Sequence, residues 1–313
     1  MNILVTGSLG FDYIMDFSGR FADRIMPDKL HKISLSFLAD KLTKNLGGTA
    51  GNIAYTLKLL GLEPTIIAFA GNDFIEYKQF LDKHQIATNG IRIVSDEPTS
   101  SYHVVTDRDD NQIGAFYIGA SKYNKELSLQ QSEKPHFVVI GPNDPAAVKK
   151  YVNECREFGY RYLYDPAFQI DNFTPEELRF ATEGAEILIG NDYEIALIEQ
   201  KLGVSHEELL VMGPKVVITT IGGKGSIIEA RNDAIHIKSA KVKNVSDPTG
   251  AGDAYRGGFL AGYLRGFNLL ICGQMGSVAA AYTVEKYGTV THHYTKKDFI
   301  KRYQENYGAS LVL

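Results

Sequence analysis

The chain has 313 residues, 44% of them hydrophobic and 22% charged, and it carries a formal net charge of −4. This length suits one large α/β domain or two modest domains, and the composition is that of an ordinary globular protein. A negative net charge without a local Lys/Arg cluster gives no electrostatic reason to expect a nucleic acid as partner.

The cysteines and the opening residues favour a cytoplasmic protein. Cys155 and Cys272 lie far apart and match no metal or redox spacing, which fits a reducing compartment. The opening MNILVTGS predicts a short strand and not a signal peptide, because no basic region precedes it. No run approaches the roughly 20 apolar residues of a membrane helix, so we expect no membrane contact.

Short apolar runs alternate with longer amphipathic segments along most of the chain. The runs at 3–6, 65–70, 137–140, 162–164, 187–189 and 216–219 predict buried strands. Helical patterns lie between them, at 51–60, 145–158, 175–183 and 193–202. Strand and helix in alternation predict a doubly wound α/β fold, with a mostly parallel sheet flanked by helices on both faces.

Two regions break that alternation. Residues 11–17 alternate loosely, and residues 101–106 with 112–118 predict a hairpin around 108–111. These strands either extend the edge of the main sheet or form a small β-sheet lid over one end of it. We predict the lid, made from parts of 11–45 and 95–120, within a single domain spanning 1–313.

The segment SDPTGAGD, residues 246–253, points to phosphoryl transfer. Two glycines separated by alanine open directly into a predicted helix, so backbone N–H groups are left unshielded at a helix N-terminus, which attracts anions. Asp253 lies in the first turn, where a carboxylate can take a hydroxyl proton while the amides stabilise the moving phosphoryl group. Alternatively, Asp253 only caps the helix and the glycines form a tight turn.

Two motifs carry a family resemblance. DPTGAGDAYRGGFLAGYL, residues 247–264, resembles the C-terminal signature of the ribokinase or PfkB family of carbohydrate and nucleoside kinases, and GGTAGN, residues 47–52, resembles its N-terminal glycine signature. The resemblance implies a ribokinase-like fold and an ATP-dependent kinase that phosphorylates a sugar-type hydroxyl. It implies that Asp253 is the base, with Gly250, Ala251 and Gly252 forming the anion hole.

The resemblance also assigns the substrate site. Asp12, after the first strand, would hold substrate hydroxyls, and Gly48 and Asn52 would contact the sugar. Asp12 could instead be a turn or cap residue, and Asn52 a satisfied polar residue of the helix that begins there.

ATP and its Mg²⁺ are assigned by further matches. Asn191 and Glu194 match an Asn-x-x-Glu pattern that would organise waters around Mg²⁺, although the same pair also fits a helix N-cap with a near capping box. Thr220, Gly222 and Gly225 resemble the nucleotide loop and would lie along ATP. The resemblance also implies a site for a monovalent cation such as K⁺ beside the anion hole, at Asp247 and Thr249.

The acceptor is the least determined feature. Aromatic residues available to the lid include Tyr102 and Phe116, which could stack on a base or simply form lid core. An arginine at the position of Arg256, shortly after Asp253, is similar to the sequences of the adenosine kinase branch. We therefore predict that the acceptor is a nucleoside, adenosine, and that it is phosphorylated at its 5′-hydroxyl. The alternatives are a free sugar such as ribose or fructose, or a non-catalytic sensor on the same fold. The sequence is compatible with a monomer or a homodimer.

Overall fold

The computed structural model describes residues 1–32, 34–109, 111–131, 133–231 and 233–313. The strands are β1 (Asn2–Thr6), β2 (Gly10–Asp16), β3 (Lys41–Gly47), β4 (Glu63–Ala70), β5 (Ile91–Ile93), β6 (Ser100–Thr106), β7 (Gln112–Tyr117), β8 (Phe137–Ile140), β9 (Tyr162–Tyr164), β10 (Ile187–Asn191), β11 (Val216–Thr220), β12 (Ser226–Ala230) and β13 (Asp233–Ile237).

The α-helices of the same residues are α1 (Thr49–Leu59), α2 (Ile75–Lys83), α3 (Pro145–Phe158), α4 (Pro175–Gly184), α5 (Asp192–Leu202), α6 (His206–Met212), α7 (Ala251–Tyr263), α8 (Leu269–Val284) and α9 (Lys296–Tyr307). Short 3₁₀ segments include Gly119–Glu126, Ala167–Asn172 and Gly222–Lys224. No helix of the described residues is long and apolar enough to span a membrane.

The main sheet confirms the predicted fold class. Among the described residues its strands follow the order β13-β12-β11-β10-β9-β8-β1-β4-β5, and all neighbours pair in parallel except β11-β12 and β12-β13. The chain leaves β1 toward β4 on one side and returns to β8 on the other. This change of direction creates a crevice beyond the carboxyl ends of the strands, where α/β proteins bind ligands.

Side-chain alternation in β1 explains why helices cover both faces of this sheet. Ile3 and Val5 face one apolar core, shared with α1, α7, α8 and α9, whereas Leu4 faces a second core, shared with α3, α4 and α5. All three side chains are completely buried. A strand buried on both faces has to be apolar throughout, which is why the short runs were recognisable in the sequence.

Local signals account for the helix ends. The Asp144 side chain accepts hydrogen bonds from the amides of the first turn of α3, and Pro145 occupies the first helical position. Gly61 and Gly159 follow α1 and α3 with φ of 80° and 64°, as a helix stop with positive φ requires. The predicted bounds of the strands and helices differ from the observed bounds by two residues at most.

The second sheet stands apart from the first, so the edge-extension interpretation is wrong and the lid is confirmed. Its order is β3-β2-β6-β7, with β2 antiparallel to β3, β6 antiparallel to β7, and a parallel pair β2-β6 at the centre. The predicted hairpin is β6-β7, although Asp110 in its turn lies outside the described residues. Strand β7 is exposed along its whole length.

Candidate active site

The N-terminus of α7 is an open amide cradle. Gly250 adopts φ 77°, and a Cβ built there would lie only 2.8 Å from Thr289 Cβ, so the turn requires glycine. The Ala251 N–H donates to the Pro248 carbonyl at 3.1 Å. Among the described residues the N–H groups of Gly250, Gly252 and Asp253 have no acceptor. The predicted anion hole therefore needs one correction, because the Ala251 N–H is occupied while that of Asp253 is free.

The Asp253 carboxylate is held beside this cradle by the N-terminal glycine motif. Asn52, almost fully buried in α1, donates from Nδ2 to Asp253 Oδ2 at 2.8 Å. Burial raises the Asp253 pKa, and it does so against the opposing effects of Arg256 and Asn52. A carboxylate with a raised pKa is a better proton acceptor, which suits a general base. Asn52 Oδ1 is buried and has no hydrogen-bond partner among the described residues.

Asp12 faces Asp253 from the lid. Its pKa is raised to about 7, first by burial and then by the charges of Asp253 and Asp247. Two glycines permit close packing here: a Cβ at Gly47 would overlap this carboxylate, whereas Gly48, with φ 88°, lets the backbone of residues 8–10 approach, Ser8 O lying only 2.5 Å from the position of a Cβ. The N-terminal motif thus brings β3 and α1 against Asp12.

Strand register places four side chains in one row on the same face of the lid. Asp12 pairs with Asn45 on β3 and with Tyr102 on β6, and Tyr102 pairs with Phe116 on β7. The Phe116 ring lies 6.1 Å from that of Phe168, in the 3₁₀ segment Ala167–Asn172 that follows β9. The lid therefore meets the main domain through an aromatic pair, of which Phe168 was not predicted.

A cavity of about 510 Å³ opens on the other side of the cradle. It contains the predicted loop residues Thr220, Gly222 and Gly225, and it reaches Gly252 in the cradle. Apolar residues missed by the sequence reasoning line the rest of it, including Val242, Val245, Ala280, Ala281 and Val284. The size and the largely apolar lining are those of a small-molecule site, so the ATP contacts predicted here stay a prediction.

Both interpretations of the Asn-x-x-Glu pattern are compatible with the geometry. Asn191 Oδ1 accepts the Glu194 N–H at 2.8 Å, and Glu194 Oε2 accepts the Asn191 N–H at 2.8 Å, which makes a full capping box on α5. Glu194 Oε1 accepts nothing from the described residues. Burial raises the Glu194 pKa, against the Asn191 N–H that lowers it.

The carboxylate of Asp247 organises the loop before the cradle. Its Oδ1 accepts the Thr249 N–H at 2.9 Å, and its Oδ2 accepts the Gly288 N–H at 3.0 Å. Asp247 is buried, whereas Thr249 is exposed. These bonds leave a lone pair on each oxygen, so the cation site predicted here stays a prediction.

Sequence reasoning missed a buried ion pair behind the cradle. Asp165 directly follows β9, and its carboxylate pairs with the guanidinium of Arg256 on α7. Both residues are more than 90% buried. The available signal was a carboxylate at the carboxyl end of a parallel strand, where α/β proteins place functional groups.

Comparison with known proteins now identifies the family. The model of the pfkB family of carbohydrate kinases matches residues 15–296. This chain belongs to that family. As a pfkB family member it is an ATP-dependent kinase with a ribokinase-like fold, as both motifs predicted.

Similar pfkB family proteins are named as nucleoside kinases. The nucleoside kinase of Methanothermobacter thermautotrophicus is 33% identical over 311 residues, covering 98% of this chain and 97% of that protein. The structure of Burkholderia thailandensis nucleoside kinase in complex with inosine superposes with a TM-score of 0.91 at 30% identity, covering 98% and 99% of the two chains. Its ligand-free form gives a TM-score of 0.83 at 32% identity, with coverage of 96% and 99%.

Proposed function

We propose that this kinase transfers the γ-phosphoryl group of ATP to the 5′-hydroxyl of a nucleoside. One observation carries the proposal: Asp253 lies in the first turn of α7 beside its free amides, its charge acts on the lid carboxylate Asp12, and the cavity described above reaches the preceding residue, Gly252. A nucleoside held by the lid and a nucleotide held in the cavity would meet at Asp253. The names and ligands of the similar proteins support a nucleoside as the acceptor.

In the proposed reaction Asp12 accepts hydrogen bonds from the ribose hydroxyls, which turns the 5′-hydroxyl toward Asp253. The 5′ oxygen forms a bond to the γ-phosphorus while the bond from that phosphorus to the β,γ-bridging oxygen breaks. The proton passes to Asp253, and ADP leaves with the bridging oxygen. The free N–H groups of Gly250, Gly252 and Asp253 stabilise charge on the phosphoryl oxygens during transfer.

Mg²⁺ would bind on the α5 side of the cradle. The unbonded Glu194 Oε1 suits a water ligand of Mg²⁺, which prefers oxygen donors and keeps several waters. The ion would neutralise charge on the β- and γ-phosphates. A monovalent cation such as K⁺, bound near Asp247 and Thr249, would strengthen the positive field of the cradle.

Two further observations support a nucleoside as the acceptor. A flat base could stack against this aromatic pair, Phe116 and Phe168, since aromatic side chains stack readily on flat rings. The structure also superposes better on the inosine-bound form of the Burkholderia thailandensis enzyme, with a TM-score of 0.91, than on its ligand-free form, with a TM-score of 0.83. Adenosine is our predicted substrate, and inosine has to be tested beside it because the neighbour binds it. A free sugar would not need an aromatic surface of this kind, although the pair would still join the lid to the main domain.

The test is ADP release with Mg·ATP across adenosine, inosine, guanosine, cytidine, ribose and fructose, with Asp253→Asn as the blank. We expect turnover with a purine nucleoside, and a loss of about 10³-fold in kcat in the variant with ATP affinity retained, because only the proton acceptor is removed. Asp298→Asn, in the first turn of α9, is the matched control and keeps full activity.

Each outcome decides one part of the proposal. Turnover with ribose or fructose alone would overturn the acceptor class but keep the base. Unchanged kcat in Asp253→Asn would overturn the mechanism. If no acceptor on the panel is phosphorylated while calorimetry detects ATP binding, the non-catalytic sensor becomes the better description.

A further inference from the structure

The buried ion pair Asp165–Arg256 has a feature that a purely structural pair does not need. Arg256 Nη2 donates to Asp165 Oδ1 at 2.9 Å, and Nε lies 2.5 Å from Oδ2, although that N–H is too bent for a regular hydrogen bond. The third nitrogen, Nη1, has no acceptor among the described residues. Burying a guanidinium is costly, and leaving part of its donor capacity unused adds to the cost.

The position of Nη1 indicates what it serves. A Cβ built on Gly252 would lie 2.7 Å from Arg256 Nη1, so the guanidinium passes directly against the cradle glycine. Arg256 follows Gly252 by four residues, and helical side chains lean toward the N-terminus, which directs the guanidinium at the open end of α7. Any side chain at Gly252 would displace it.

The surrounding charges support the same reading. Arg256 is stabilised as a cation first by Asp165 and then by Asp253 and Glu194, which raise its pKa against the effect of burial. An incoming phosphate chain must approach these carboxylates. A guanidinium that interacts with these carboxylates and keeps a free N–H pair would reduce the repulsion and provide directional donors for phosphoryl oxygens.

Asp165 has the features of a residue that orients its partner. It is 1% exposed, and burial raises its pKa against the neighbouring guanidinium. The backbone N–H of Ala167 also acts on this carboxylate and lowers its pKa. With its oxygens committed inside the protein, Asp165 can fix the plane of the guanidinium but cannot reach a ligand.

We propose that Arg256 is a catalytic residue, whose Nη1 contacts the γ-phosphoryl group during transfer, and that Asp165 is its positioning residue. The inference rests on the proposed location of phosphoryl transfer at the start of α7. The contact becomes strongest when charge spreads over the phosphoryl oxygens in the transition state. It therefore acts on kcat more than on ATP binding.

The first experiment compares Arg256→Met with the wild type, using adenosine and inosine as acceptors. We expect kcat to fall about 10²- to 10³-fold, the range for losing one preorganised donor, with the ATP dissociation constant changed less than threefold. Arg256→Lys keeps the charge without the planar fork and should recover only part of the loss. Asp165→Asn should cost about tenfold in kcat, since the guanidinium remains but is less well oriented.

Arg302→Met is the matched control for burial. Arg302 pairs with Glu285 through both of its terminal nitrogens and is about as buried as Arg256, but it lies on α9. Its loss should lower the melting temperature without changing kcat in the folded fraction. If Arg256→Met does not fold, the double variant Asp165→Asn/Arg256→Met removes both charges together and serves in its place.

A pH profile separates a direct contact from an effect transmitted through the base. Arg256 lowers the Asp253 pKa, so an indirect role would make the loss in Arg256→Met shrink as the pH rises and Asp253 ionises. A direct contact predicts a constant loss across the profile, with partial rescue by millimolar guanidinium in Arg256→Ala. A second readout is binding of ADP with aluminium fluoride and inosine, which should weaken in Arg256→Met while binding of ADP alone stays unchanged.

The outcomes distinguish this inference from the proposed function. Loss of nucleoside turnover in the wild type would overturn the function itself. With the wild type active, a kcat change below threefold, a loss that disappears at high pH, or an equal loss in ADP affinity would each overturn the role of Arg256.

Discussion

The start of α7 and the lid sheet both contribute to the candidate site, but they are built in opposite ways. The start of α7 is held by close contacts: Gly250 packs on Thr289, Asn52 donates a hydrogen bond to Asp253, and Arg256 donates one to Asp165. The lid presents its outer strand β7 entirely to solvent. From this difference we expect the proposed reacting groups to be held rigidly and the exposed lid sheet to be the more mobile of the two regions.

The largest effect is expected when the cradle is displaced without changing a side chain that takes part in the proposed reaction. Gly250→Ala should reduce kcat about 100-fold, because the new methyl group meets Thr289 and shifts the free amides. Gly266→Ala is the control: its φ of 78° imposes the same backbone strain of roughly 1–2 kcal/mol, but no atom lies within 4 Å of the new Cβ. Equal kcat losses in the two variants would show that the cradle tolerates displacement.

Asp12 connects the two regions, and its protonation gives the next largest effect. With a pKa of about 7, Asp12 is ionised above that pH and protonated below it. The kcat/KM for nucleoside should therefore fall about tenfold per pH unit below 7, reaching about 100-fold at pH 5, as the charged acceptor is lost. Asp12→Asn should lower kcat/KM and remove this limb. A limb that persists in the variant would belong to Asp253 instead.

Hydrogen exchange compares the mobility of the two regions directly. Saturating nucleoside should slow amide exchange in β6 and β7 by about tenfold or more, because lid opening then requires release of the ligand. The buried interior of α7 should exchange at nearly the same rate in both samples. Equal exchange of β6 and β7 with and without nucleoside would mean that the lid does not close on its substrate.

The smallest expected effect tests the aromatic contact at the lid edge. Phe116→Ala should raise the nucleoside KM about three- to tenfold, matching the roughly 0.5–1.5 kcal/mol of an aromatic pair. Ile113→Ala is the control, since Ile113 is 45% exposed against 43% for Phe116 and faces the other side of β7. A KM change in the control alone would place the substrate on the wrong face of the lid.

Local sequence was sufficient wherever the structure depends on neighbouring residues. The buried strands were recognisable because a parallel sheet covered on both faces requires uninterrupted apolar runs. The cradle was recognisable because its glycines and Asp253 are contiguous, and the Asn191–Glu194 capping box because its partners are three residues apart. The resemblance of two short motifs then led to the family, which the comparisons established.

Only the tertiary structure decided which distant groups share the site. Asn52 and Asp253 are 201 positions apart, and no local pattern pairs them. Phe116 meets Phe168, and Arg256 meets Asp165, because the lid folds over the sheet and β9 ends behind α7. A polar side chain has little effect on the free energy of folding at the surface, whereas its burial is costly unless it finds a partner. The sequence does not show which polar residues are buried. The sequence by itself therefore determined the fold class and the family and predicted where the reaction centre lies, whereas packing decided the partners of each charged group.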